Sequence, residues 1–185
     1  MLAEDQNTGT LCKGDWQFLL DEPPQGAVLR VDGCAPTLPA GRFGLVAVAG
    51  RPAGWPPRWH GTGLDDLAAR VAPGGQLYLE VERPGWQLPP HWVRGRLRRA
   101  GLQRVRVYWP RGGLIKPDLW LPLGAPHVER YYLHHLFYAT SPARRVVRLA
   151  LIVVVAAGGL GWTVPSYVMV ARRPAQGNTE NACGD

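Results

Sequence analysis

Four residues with metal-ligand chemistry lie close together: His127, Glu129, His134 and His135. Imidazole and carboxylate both coordinate metals, and His127 and His134, seven apart, share one face of a helix. A metal centre takes three or four ligands converging on one point, which this spacing does not supply. With Tyr131, Tyr132 and Phe137 beside them, these residues read as a polar helix surface, and no metal is assigned. Trp55, Trp59, Trp86, Trp92 and Trp109 stand among arginines, an arrangement able to stack on bases or sugars. Trp beside Pro in loops more often packs the rim of a core, and no nucleic-acid-binding motif accompanies these. Nucleic acid is therefore not favoured as a partner. Asp65-Asp66 open a helix, where carboxylates cap free N–H groups and favour the dipole. There is no G-x-S-x-G elbow and no P-loop, so catalytic residues stay unassigned. Cys12, Cys34 and Cys183 have no metal spacing and an odd count, which argues against a disulfide framework.

The elements that position such residues alternate between strand and helix. Leu64, Leu67, Ala68 and Val71 have the spacing of one helical face. Pro73 ends that helix, and Gly74-Gly75 permit a tight turn. Gln76–Glu82 then alternates, with Leu77, Leu79 and Val81 on one face. Ala27–Val31 and Gly44–Ala49 are apolar almost throughout, as strands covered on both faces are. His91–Ala100 reads as a helix closed by Gly101 in the left-handed conformation. Gln103–Trp109 alternates as a strand, Arg111–Pro126 reads as irregular, and Val128–Tyr138 as a helix. Tyr167–Ala171 reads as the last strand. This order is an α/β layout.

At 185 residues the chain makes one domain with a real core. The expected organisation is a flexible tail over 1–14, an α/β domain over 15–173, and a second flexible tail over 174–185. The formal charge is +7, carried almost wholly by arginine, since only Lys13 and Lys116 are lysines. Abundant Arg, Ala, Gly and Pro fit a GC-rich genome better than selection for a polyanionic partner. The polar, acidic start has neither a basic n-region nor an apolar h-region, so a cytoplasmic location is expected.

In order along the chain, the pieces resemble class I S-adenosylmethionine-dependent methyltransferases. AVLRVDG resembles their first strand and turn, and RFGLVAVAG their fourth strand. LAARVAPGGQLYLEVE resembles the next helix and strand, LRRAGLQRVRVYWP the pair after that, and VPSYVMVARRP the closing strand. The resemblance covers roughly residues 16–174. It implies a reduced Rossmann-like methyltransferase sheet, mostly parallel with an antiparallel last strand. It also implies S-adenosylmethionine as cofactor and a small-molecule substrate, with a sugar or its conjugate as the suggested class. Asp32 and Gly33 are the cofactor contacts that carry over.

The chain departs from the family after its first strand. The family's turn is rich in glycine, because glycines admit the ligand close to the backbone and helix N–H groups face it. Here the turn reads Asp32-Gly33-Cys34-Ala35-Pro36, with one glycine. Between Val31 and Leu45 lie 13 residues. A single parallel crossover takes about a dozen, so the second and third strands do not fit. The first and fourth strands should then lie side by side, joined by one tight connection.

The run Leu149–Ala171 holds 23 residues without a charge, with arginines on both flanks. As one helix it would span about 34 Å, enough for a bilayer. Gly158, Gly159, Gly161 and Pro165 favour dividing it into a buried helix, a turn and a strand. Three functions follow. The chain is a methyltransferase acting on a small molecule, an inactive remnant that serves as a binding or partner subunit, or a membrane-associated protein anchored through Leu149–Ala171.

Overall fold

A computed structural model describes residues 16–32, 38–49, 62–82, 89–114, 116–136, 141–156, 161 and 164–175. The segments 1–14 and 174–185 expected to be tails (174–175 excepted), Trp55, Trp59 and Trp86, and all three cysteines lie outside these ranges. Among the described residues the fold is α/β, with four α-helices and a six-stranded mixed sheet. The strands are β1 (Val28–Asp32), β2 (Phe43–Ala49), β3 (Val71–Glu82), β4 (Gln103–Arg111), β5 (Leu119–Leu123) and β6 (Ser166–Arg172). Their order across the sheet is β1-β2-β3-β6-β4-β5.

β1 pairs with β2 and β2 with β3 in parallel, whereas β6 is antiparallel to β3 and β4, and β5 is antiparallel to β4. The expected adjacency of the first two strands is present. The expectation of a mostly parallel sheet is corrected to a mixed one. The last strand, β6, is antiparallel as expected and lies between β3 and β4, and β5 adds an antiparallel edge where an irregular segment was expected. Pro122 sits within β5, and an edge strand tolerates it because one side of the strand needs no ladder partner.

The helices are α1 (Thr62–Arg70), α2 (Pro90–Arg99), α3 (Pro126–Tyr131) and α4 (Pro142–Ala156), with a π-helical turn, Tyr132–Leu136, after α3. The expected helix Val128–Tyr138 is thus divided, and Phe137 and Tyr138 lie outside the described residues. α2 opens on Pro90 and closes at Gly101, whose φ of 85° is the left-handed conformation expected of it.

One face of the sheet packs against every helix. Val46, Leu77, Leu79, Tyr167 and Met169 meet Leu64 and Leu67 of α1, Val93 and Leu97 of α2, Leu133 and Val155. The opposite face carries Leu45, Ala47, Tyr78, Val168 and Val170. A 3-10 turn, Trp16–Leu19, covers it with Trp16, Leu19 and Leu20. This explains how β2 can be apolar throughout; the expected cover on both faces does not extend to β1, where Val28 and Arg30 are exposed.

Side chains that leave the sheet hold the covering segment in place. The Asp21 amide donates to Gln76 Oε1 at 3.0 Å, and Gln76 Nε2 donates to the Glu22 carbonyl at 2.8 Å. Arg106 reaches the Leu19 carbonyl and Asp21, and Arg172 forms two bonds with Glu22. Gln76 is buried, so truncating it strands backbone groups. Gln76→Ala is expected to lower stability by about 1–3 kcal/mol, read as a shift of the urea midpoint. An unchanged midpoint would show that the segment is held without this clamp.

Pro73-Gly74-Gly75 lies inside β3 rather than in a turn before it. The β2–β3 register passes from Phe43↔Val71 to Leu45↔Gln76, so these three residues, with Ala72, form a bulge opposite Gly44 between paired positions. Gly74 has a φ of 77°, and a Cβ on Gly75 would come within 3.0 Å of three backbone oxygens. Both glycines are required here, one for its conformation and one for space.

The apolar run Leu149–Ala171 is not one helix. α4 covers Pro142–Ala156, and Tyr167–Ala171 lies in β6, buried between β3 and β4. No helix among the described residues is long and apolar enough to cross a membrane. On α4 itself Val146, Leu149 and Val153 are exposed.

Candidate functional site

β1, β2, β3 and β4 all run the same way, which gives the sheet a carboxyl edge and an amino edge. Asp32 is the last residue of β1 and pairs with Ala49, the last of β2, so it stands on the carboxyl edge. Ligands of open parallel sheets bind outside that edge. Gly33, the other expected cofactor contact, lies outside the described residues. β1 and β2 are joined by residues 33–42 alone.

The histidine group does not converge. His127, His134 and His135 are exposed. His134 Nδ1 lies 3.1 Å from an Arg148 nitrogen, and the His135 ring packs on Tyr131 at 4.5 Å. Glu129 is buried, and its Oε1 accepts the Gly124 amide at 2.6 Å. Its role is to pin the β5–α3 corner. Among the described residues no group of three potential ligands is placed to hold a metal. Asp65 sits in the first turn of α1 as expected, and is also bonded to Arg96 of α2 at 2.6 Å.

The amino edge carries a feature that no local spacing announces. A recess of about 530 Å³ opens between the carboxyl ends of α1 and α2 and the strand ends beside them, with Arg42, Arg96, Arg99, Arg173 and Asp65 in its lining. Arg42 immediately precedes β2, and Arg173 immediately follows β6. The bulge in β3 brings these two strand ends into place. The Gly74 amide donates to the Arg173 carbonyl at 3.0 Å, and the Arg173 amide to the Gly75 carbonyl at 2.9 Å. The Arg173 guanidinium donates to the Ala68 carbonyl of α1 at 2.7 Å and lies 3.5 Å from the Ala100 carbonyl. It is thus fixed between two helix ends. Burial, and after it the charge of Arg42, pulls Arg173 below the ordinary arginine value. Its Nε is buried with no hydrogen-bond partner among the described residues. The overall basic charge was visible in the sequence, but its convergence on one recess was not.

No protein family matches this chain, and no curated protein does. Among solved structures it is similar to the [4+2]-cyclase SpnF, at 14% identity and a TM-score of 0.32. The match covers 78% of this chain and 54% of that one. This chain therefore spans about half the length of that structure.

Proposed function

We propose that this chain is a non-catalytic binding or partner subunit built on a reduced methyltransferase-like sheet. The observation that carries the reading is the direct parallel pairing of β1 with β2 across only residues 33–42. Ten residues cannot hold two further strands with their crossovers. The second and third strands of the resembled family therefore have no place between β1 and β2. In sequence, β1 is followed by a single glycine, Gly33, and then by Cys34, Ala35 and Pro36, where the resembled family places further glycines. These residues do not fit S-adenosylmethionine as the resembled family holds it.

Methyl transfer to a small molecule is the second reading. One observation favours it: Asp32 ends β1 on the carboxyl edge, where a cofactor carboxylate contact belongs. Calorimetric titration with S-adenosylmethionine separates the two. No saturable heat up to millimolar cofactor is expected. Micromolar binding that Asp32→Ala weakens would overturn the non-catalytic reading.

A further inference from the structure

We propose that the recess on the amino edge is a binding site for a small molecule bearing a diphosphate group. This rests on the reading of the chain as a binding module and names its ligand, yet the site lies at the opposite end of the sheet from Asp32.

Charge is the first support. Four guanidinium groups and one carboxylate line the recess, leaving three positive charges in excess among the described lining residues. Arginines in the last turn of a helix also answer its dipole, which accounts for Arg96 and Arg99 at the end of α2. It does not account for Arg42 and Arg173, which arrive from strand ends. Guanidinium presents paired donors that match phosphate oxygens, and charge-assisted bonds of this kind are short and strong.

Construction is the second. Arg173 is anchored to the Ala68 carbonyl, and Arg96 is held by Asp65. Arg99 Nε donates to the Gly95 carbonyl at 3.3 Å. Such positioning lowers the entropy lost when a ligand is gripped. The buried Arg173 Nε has a donor to give, and the repulsion between Arg42 and Arg173 is relieved by an anion between them. Size is the third. About 530 Å³ lies within the range of small-molecule sites.

The test is titration of the full chain with sodium pyrophosphate, with citrate and single-stranded DNA as comparisons. Two variants of exposed residues carry opposite signs. Arg42→Gln combined with Arg99→Gln is expected to weaken pyrophosphate at least about tenfold. Asp65→Asn removes the one carboxylate among the described lining residues, and is expected to strengthen binding about threefold or more. Circular dichroism confirms that each variant folds. Saturable pyrophosphate binding with both shifts supports the proposal. It is overturned by absent binding, by binding that neither variant moves, by citrate binding equally well, or by DNA binding more tightly than pyrophosphate. S-adenosylmethionine binding would overturn the non-catalytic reading and leave these outcomes unaltered.

Discussion

Gly44→Ala is expected to destabilise the protein by about 3 kcal/mol or more, enough to unfold a marginal domain. A Cβ at this position of β2 would fall 1.7 Å from the Gln25 carbonyl oxygen and 2.7 Å from its carbon. Both are backbone atoms, so no rotamer change relieves the clash. The segment cannot simply move aside, because the amides of Gly44 and Leu45 both donate to the Ala27 carbonyl, at 2.9 and 3.4 Å. Displacing Gln25 therefore pulls on the start of β1. Gly63 is the control. It lies in α1 with nothing among the described residues within 4 Å of a Cβ, and Gly63→Ala should stabilise by about 0.5–1 kcal/mol. Urea unfolding of both variants checks the pair. Equal midpoints would show that the Gln25 turn yields freely.

Tyr78→Ala is expected to cost about 3–5 kcal/mol. Tyr78 is fully buried in β3, with its ring centroid 4.2 Å from that of Trp16. Its hydroxyl donates to the buried Glu80 carboxylate at 2.8 Å. Truncation opens a cavity beneath Trp16 and takes one donor from a carboxylate held away from water. The effect should be visible locally before it is global: Trp16 fluorescence should shift to the red in the native baseline. Tyr78→Phe isolates the hydroxyl and should cost about 1.5–3 kcal/mol. A Tyr78→Ala variant with native fluorescence and midpoint would show that the Trp16–Leu19 turn is not held by this ring.

The alternation of Leu77, Leu79 and Val81 reported a strand correctly because one face of β3 meets helices and the pleat has a period of two. The 13 residues between Val31 and Leu45 reported the β1–β2 adjacency, since chain length bounds topology whatever the side chains are. Local patterning was silent elsewhere, for identifiable reasons. Leu119–Leu123 contains Pro122, which reads as a breaker until the strand is known to lie at an edge. Pro73-Gly74-Gly75 reads as a turn, and only pairing with Phe43 and Leu45 on one side and Arg172 on the other makes it a bulge. The amino-edge recess draws arginines from positions 42, 96, 99 and 173, which tertiary folding alone brings together. Glu129 has the chemistry of a ligand, yet its burial commits it to the Gly124 amide.

The place of β6 has a consequence for how the molecule is made. It follows every other strand in the chain and lies between β3 and β4, pairing with both. During synthesis, the β1-β2-β3 half and the β4-β5 half emerge as two incomplete sheets, each with one unsatisfied edge facing the gap. Those edges stay open until residue 172 has left the ribosome, and open edges recruit strands from other chains. Closure is then a long-range event, with Gln76 meeting Arg172 across nearly one hundred residues, so folding should be slow for a domain of this size. A chaperone that shields strand edges would raise the yield, and a nascent chain stalled before Ser166 would aggregate.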